Sequence, residues 1–169
     1  MPYPAAAFLA DADQRLASLA AELAKAASSR DAAWILCEFT GRELELADVV
    51  VYLPEADGIL AQQAAWGPKR AADQVLESRI RLTPGSGIVG ACAQQRVPMR
   101  IADTRLDPRY VADDQANLSE LAVPIVLDGV LLGVLDSEHP RRDFYDVQYQ
   151  SALQAIADCG AVRLQQLAG

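Results

Sequence analysis

Hydrophobic positions change their period along the chain, and each change marks an element. From Ala5 to Ser28, Leu9, Leu16 and Leu23 recur every heptad, with Ala12, Leu19 and Ala26 on the companion positions. This is an a/d stripe on a helix, narrow enough to suit helix–helix pairing. A second helix is predicted next, capped by Ser29 or Asp31, with Trp34, Ile35 and Phe39 as its apolar face and Gly41 as a break point. From Asp48 the character changes. Val49 to Leu53 is β-branched and aromatic and predicts a strand. Pro54 to Gly58 reads as a turn, and Ile59 to Trp66 as the returning strand of a hairpin.

Ala71 to Ser78 fits a short helix or a loop equally. Arg79 to Leu82 alternates and predicts a short strand. Pro84 to Gly87 is a sharp turn, with Ser86 as N-cap of a short helix from Ile88 to Gln95. Val97 to Ile101 predicts another strand. Asp103 to Asn117 is polar and turn-rich, with one helical turn near Leu106 to Tyr110. Then Leu121 to Leu127 and Val130 to Ser137 flank Asp128-Gly129, a type I′ hairpin signature because both turn residues need positive φ. Both runs are nearly continuously apolar, so both faces should be covered. Pro124 cannot donate to a ladder, which predicts a bulge or an unpaired position there. A last helix spans about Asp146 to Gln166, with Asp146 as N-cap. Leu153, Ala157, Gly160, Leu164 and Leu167 form its stripe, again at heptad spacing. Two hairpins with flanking helices predict an α+β fold with a central, mostly antiparallel sheet. No internal repeat or low-complexity linker divides the 169 residues, which read as a single domain.

Charge narrows the partners. The formal net charge is −8, so phosphate backbones and anionic membranes repel the chain. Neither nucleic acid nor membrane is expected as a partner. The basic pairs Lys69-Arg70 and Arg141-Arg142 read as solvated loops rather than anion sites. No apolar run reaches the length of a membrane span, and the start Met1-Pro2-Tyr3-Pro4 lacks the basic region of a signal peptide. Cys37, Cys92 and Cys159 are odd in number, form no CxxC and sit among apolar neighbours. Reduced thiols and a cytoplasmic location are expected. With His139 as the lone histidine, no zinc ligand set assembles.

Gly85-Ser86-Gly87-Ile88-Val89-Gly90 matches GxGxxG and precedes an acid, Asp103. A dinucleotide site needs more. The following helix is too short for a full βαβ crossover. Asp103 also comes too early after Gly90, since the fingerprint expects its acid about 20 residues on. The glycines are better read as a tight turn and close backbone approach, with anion binding at the helix start as the lesser alternative. Ser119, Asp136 and His139 show no spacing of a hydrolase triad, and no GxSxG elbow exists. Cys92, near a helix start, is the one redox candidate, and inert packing is the stronger reading.

From Ile80 to Ala161 the chain resembles a GAF domain. The carriers are the glycine turn 85–90, Pro98 with Ile101 to Asp103, and Asp107-Pro108-Arg109-Tyr110. They continue through Ser119-Glu120-Leu121-Ala122-Val123-Pro124-Ile125, Asp128-Gly129, Leu132-Gly133-Val134-Leu135-Asp136 and Phe144. The resemblance implies a GAF/PAS-like sheet with the N- and C-terminal helices on one face and a ligand pocket on the other, roofed by Asp103 to Asn117. It implies a sensory or regulatory module of the kind found in bacterial histidine kinases and other two-component proteins, phosphodiesterases and cyclases. The N-terminal helix would pair across a homodimer and carry the signal, and the chain would continue into an output domain. The ligand-binding residues it points to are Trp66, Ser86, Gly87, Asp103, Arg109, Tyr110, Ser119 and Asp136, for an unknown small molecule. No metal or cofactor is implied. Catalytic relatives reduce free methionine-(R)-sulfoxide, but their cysteine positions fall on Val89 and Asp113 here. Bilin-type Cys-His pairs and the cyclic-nucleotide signature are absent as well. A non-enzymatic sensor is therefore expected, with a Cys92 redox enzyme or a ligand-free dimerisation module as the alternatives.

Overall fold

A computed structural model describes residues 3–77, 79–112 and 116–168. The start at Met1-Pro2, the end of the Ala71 to Ser78 segment, the Asp113 position and the terminal Gly169 lie outside the described residues. Three helices open the chain, α1 (Pro4–Ala10), α2 (Ala12–Leu23) and α3 (Ser29–Glu43). They are followed by β1 (Val49–Pro54), β2 (Leu60–Trp66), β3 (Arg70–Ala72), β4 (Val75–Leu76) and β5 (Arg81–Leu82). Then come α4 (Gly87–Gln95), β6 (Met99–Ile101), a 3-10 turn (Thr104–Leu106), β7 (Ser119–Leu127), β8 (Val130–His139) and α5 (Val147–Ala168). Six strands form one antiparallel sheet in the order β5-β2-β1-β8-β7-β6, and β3 and β4 form a separate ribbon. The fold is the expected α+β.

Alternation along the strands sorts side chains to two layers. Val49, Val51, Leu121, Val123, Ile125 and Leu135 pack with α1, α2, α3 and α5 in the larger core. Val50, Tyr52, Ala122 and Val134 face the other way, against Ile88, Val89 and Cys92 of α4. Both faces are therefore covered, as the continuous apolar runs of β7 and β8 required. Asp128 and Gly129 close their hairpin with φ of 51° and 77°. The register slips between Ile125 and Val126, one residue beyond Pro124. Asp146 caps α5, its Oδ1 accepting from the Gln148 and Tyr149 N–H groups at 3.0 Å each.

The structure corrects several expectations. The N-terminal helix is not continuous: α1 ends at Asp11, whose φ of −119° leaves the helical region, and α2 ends at Leu23. Its stripe is not turned outward either. Leu19, Leu23 and Ala26 are buried, and Leu9, Ala12 and Leu16 pack against the same core. The apolar surface expected to pair across a dimer is thus used within one chain. The cap of α3 is Ser28, whose Oγ accepts from the Asp31 N–H at 3.1 Å. Gly41 does not break α3. It gives Trp66 room, since a Cβ there would lie 2.4 Å from the indole Cγ. Residues 70–76 form neither helix nor plain loop but the β3–β4 ribbon.

The glycine motif has a structural cause. Gly85 and Gly87 have φ of +86° and +70°, which L-residues with a Cβ rarely adopt. A Cβ on Gly90 would lie 2.7 Å from the Thr83 carbonyl oxygen. No βαβ unit exists, because β5 and β6 occupy opposite edges of the sheet. α4 therefore crosses the sheet face between them and forms the wall of the second layer.

Candidate functional site

Between α4 and the sheet lies a small, partly open cavity of about 20 Å³, room for one water molecule. Tyr52, Gly87, Val89, Glu120, Asp136 and Glu138 are among the residues that line it. The β7–β8 register sets the acids: Glu120 pairs with Glu138 and Ala122 with Asp136. All three carboxyls thus share the face that Ala122 and Val134 present to α4. Glu120 and Glu138 are each 5% exposed and Asp136 only 2%. Burying ionised carboxylates is costly unless they are paired. Lys69 supplies part of the pairing, its Nζ 2.5 Å from Glu138 Oε2 and 2.9 Å from Asp48 Oδ2. Lys69 thereby leaves the solvated loop expected of the Lys69-Arg70 pair. Arg70 is likewise engaged, 3.2 Å from Glu38 and over the Trp34 ring.

One ammonium among four buried carboxyls does not balance them. Burial first, and the neighbouring Asp136 second, push the Glu120 carboxyl well above the usual range. Burial and Glu138 do the same to Asp136. Asp136 Oδ1 has no hydrogen-bond partner among the described residues. Facing these acids, the first turn of α4 presents the N–H groups of Gly87, Ile88 and Val89, which helix geometry leaves without intrahelical partners. The wall opposite the carboxylates is thus a positive helix end.

The roof runs over this cavity from Asp107. Arg109 is held by Asp107, its Nε and Nη2 donating at 3.0 and 2.7 Å. The Tyr110 hydroxyl accepts from the Asn117 N–H at 3.2 Å and bonds to Glu138. Val111 packs 3.3 Å from where a Gly87 Cβ would stand.

Of the residues singled out from the sequence, Gly87 and Asp136 line the cavity; Arg109 and Tyr110 stand beside it, the one with its backbone near Gly87 and the other bonded to Glu138. Ser86 is the exposed N-cap of α4, without a side-chain cap bond. Asp103 lies apart. It caps the 3-10 turn and binds Arg105 at 2.7 and 2.9 Å, which holds its carboxyl down to about 2. Trp66 and Ser119 point to the opposite face. Trp66 packs on α3 and donates to the Leu46 carbonyl at 2.9 Å, and the Ser119 hydroxyl donates to the Arg141 carbonyl at 2.7 Å. Sequence reasoning missed Asp48, Lys69, Glu120 and Glu138. The available signal was acids two apart in an apolar strand run, Asp136 and Glu138, which must share one face.

The thiols are separated. Cys92 is buried on the cavity side, where desolvation and then Asp136 raise its pKa. Cys37 is buried on the helix side, and Cys159 sits half-buried on α5 against the Leu16 carbonyl. Neither buried thiol is poised as a thiolate. His139 stacks on Phe144 at 3.6 Å and accepts from the Arg141 N–H, a hairpin-end role. Among the described residues no group of acids, cysteines and histidine could hold a metal ion, and no helix is long and apolar enough to cross a membrane.

Comparison with known proteins places residues 30–164 on the model of the GAF domain. Protein YtsP of Bacillus subtilis is 34% identical over 85 residues, 50% of this chain and 52% of that one, so the match spans about half of the relative's length. The GAF domain of a phosphoenolpyruvate-protein phosphotransferase from Coxiella burnetii superposes with a TM-score of 0.78 at 19% identity, over 92% of this chain and 93% of the other. A free methionine-R-sulfoxide reductase from Neisseria meningitidis, solved with its substrate, superposes with a TM-score of 0.77 at 19% identity, over 90% and 87%. Regulatory domains and reductases thus share this fold.

Proposed function

The chain belongs to the GAF domain family, and from that premise we propose that it is a non-catalytic sensor of a small zwitterionic metabolite, bound between α4 and the sheet. One observation carries the reading. Asp136 Oδ1, buried and without a hydrogen-bond partner among the described residues, stands with Glu120 and Glu138 opposite the N-terminal end of α4. Such a cavity is complementary to an ammonium on the carboxyl side and to an anionic group on the helix side. An amino acid or its sulfoxide carries both. The reductase of the same fold is held with its substrate, free methionine-R-sulfoxide being a zwitterion of this kind.

Among the described residues that line the cavity, none offers a nucleophile for chemistry beyond binding. Val89 lines it where the reductases would carry a cysteine, and the buried Cys92 thiol is held protonated. An amino acid is far larger than this cavity of about 20 Å³, so binding requires the Arg109 to Val111 roof to move outward. That roof motion, passed to an output partner, is the signal we assign to the domain.

A thermal-shift series of free amino acids and their sulfoxides tests the reading. A ligand at 100 times its Kd adds about 2.7 kcal/mol, and a domain of this size gains roughly 2–4 °C per kcal/mol. A shift of roughly 5–10 °C is expected for at least one zwitterion, lost in Asp136→Asn. No shift with any of them would leave the cavity as mere core. Turnover of free methionine-R-sulfoxide with a dithiol reductant would instead make the protein an enzyme.

A further inference from the structure

We propose that Glu120 and Asp136 hold one proton between them in the empty pocket, and that a cationic group entering the pocket displaces that proton to solvent. The proposal rests on reading this cavity as the site of an amine-bearing ligand. Its geometry comes from the hairpin register. Glu120 stands opposite Glu138 and Asp136 opposite Ala122, so Glu120 and Asp136 are diagonal neighbours on one face, within reach of each other. Their carboxyls stand within hydrogen-bonding reach of each other. An ionised carboxylate only accepts, so a bond between two carboxyls requires a proton on one of them. The remaining oxygen, Asp136 Oδ1, is buried at the cavity with no donor among the described residues, which is the place a ligand N–H would fill.

The surroundings favour that proton from nearly every side. Glu138, on β8, presses both carboxyls toward the neutral form, and Asp48, entering β1, does so for Asp136. Tyr52 from β1, Cys92 from α4 and Tyr145 before α5 are kept neutral by burial first and by these acids second. Tyr110 from the roof bonds to Glu138, and burial likewise holds its phenol neutral. Two cations and the positive N-terminal end of α4 oppose them. The Lys69 ammonium is already 2.9 Å from Asp48 and 2.5 Å from Glu138. The Arg109 guanidinium is engaged by Asp107 at 2.7 Å. Among the described residues no further cation reaches the pair. Like charges this close do not both ionise in a dry site, and the pair titrates as a unit.

A ligand ammonium changes that balance. It brings one positive charge and three donors, so the second carboxyl ionises and its proton passes to the buffer. The ligand's charge offsets the one the pair gains. Binding that releases one proton strengthens about tenfold per pH unit for as long as the empty pocket keeps that proton. The domain would therefore report its ligand more sensitively as the surrounding pH rises.

Two measurements on the full chain test this. In carbon-labelled protein, carboxyl shifts followed against pH, with Glu120→Gln and Asp136→Asn as separate assignments, should show one proton on the pair at neutral pH. Either variant alone suffices for the assignment if the other fails to fold. Both carboxyls ionised near pH 6 would overturn the proposal. Free methionine sulfoxide then serves as the zwitterionic probe in calorimetric titrations in phosphate and in Tris. The enthalpies should differ as required by release of about one proton. Binding without proton release overturns the exchange and leaves the site reading intact. No binding of the probe overturns the site reading instead, and the carboxyl shifts still decide the shared proton.

Discussion

Replacing Lys69 with methionine keeps most of the side chain's volume and removes its charge. In the native protein the ammonium sits 2.9 Å from Asp48 and 2.5 Å from Glu138, with only 11% of the side chain exposed. At an effective dielectric near 20, each contact amounts to about 6 kcal/mol of attraction, largely offset by the cost of burying the ions. Taking away one partner loses the attraction but leaves that cost, so the expected loss is about 3–5 kcal/mol. The loss should also depend on pH. Lys69 restrains the Glu120 and Asp136 carboxyls, whose folded pKa values are already raised by burial. Without it they rise further, and the folded variant binds protons that the unfolded chain has released. Its stability then falls as pH climbs from the ordinary carboxylate range through the folded values, and recovers below. Urea unfolding of both proteins at about pH 7.5 and about pH 5.5 measures this. A loss below about 1 kcal/mol at the higher pH would show that Lys69 does not hold the cluster together. An equal loss at both pH values would show that the carboxyls do not respond to it.

Asp136→Asn should gain stability relative to the native protein as pH rises above the carboxylate range, because a carboxyl raised by burial and Glu138 favours folding only while protonated. Tm differences at about pH 5 and about pH 8 check the sign, and a constant difference would refute it. Gly41→Ala should destabilise by about 1–3 kcal/mol despite the better helix propensity of alanine, since the new Cβ meets the Trp66 ring at 2.4 Å. In a Trp66→Leu background the same change should become neutral or stabilising, which a double-mutant cycle reads directly. In native protein, Cys37 and Cys92 should resist thiol reagents until denaturant is added, because burial keeps both protonated. Rapid native labelling of Cys92, or a reductase activity lost in Cys92→Ser, would restore the redox reading.

Local signals in the sequence survived into the structure, and relations between distant segments did not. The Asp128-Gly129 turn, the Asp146 cap and the Val49 to Trp66 hairpin are written in adjacent residues, and each formed where expected. The β3–β4 ribbon was missed because strands of three and two residues carry no measurable period. The heptad stripe of the first helices was legible, but its partner was not. An apolar stripe packs equally well on another copy or on the chain's own α3 and α5. The site suffered most from parity. In β7 every residue from Ser119 to Ile125 is buried, so burial gives no hint of which face each takes. Ser119 shares the face of Leu121 and turns from the cavity, while Glu120 shares that of Ala122 and enters it. Lys69 read as a surface cation because its two acids lie far from it in sequence.

Sequence distance also governs how the pocket comes into being. At the centre of the sheet Val50 pairs with Asp136, the Ser137 hydroxyl reaches back 89 positions to the Asp48 carbonyl, and Lys69 reaches 69 positions forward to Glu138. Contacts of such separation form only after most of the loop-closure entropy has been spent, and they make folding slow. No fragment ending before β8 can assemble the carboxyl cluster, and none beginning after Lys69 can neutralise it. On a growing chain the acids of β8 are among the last strand residues to appear, so the pocket exists only when both halves have met. Ligand affinity is for that reason a measure of completed folding as well as of ligand.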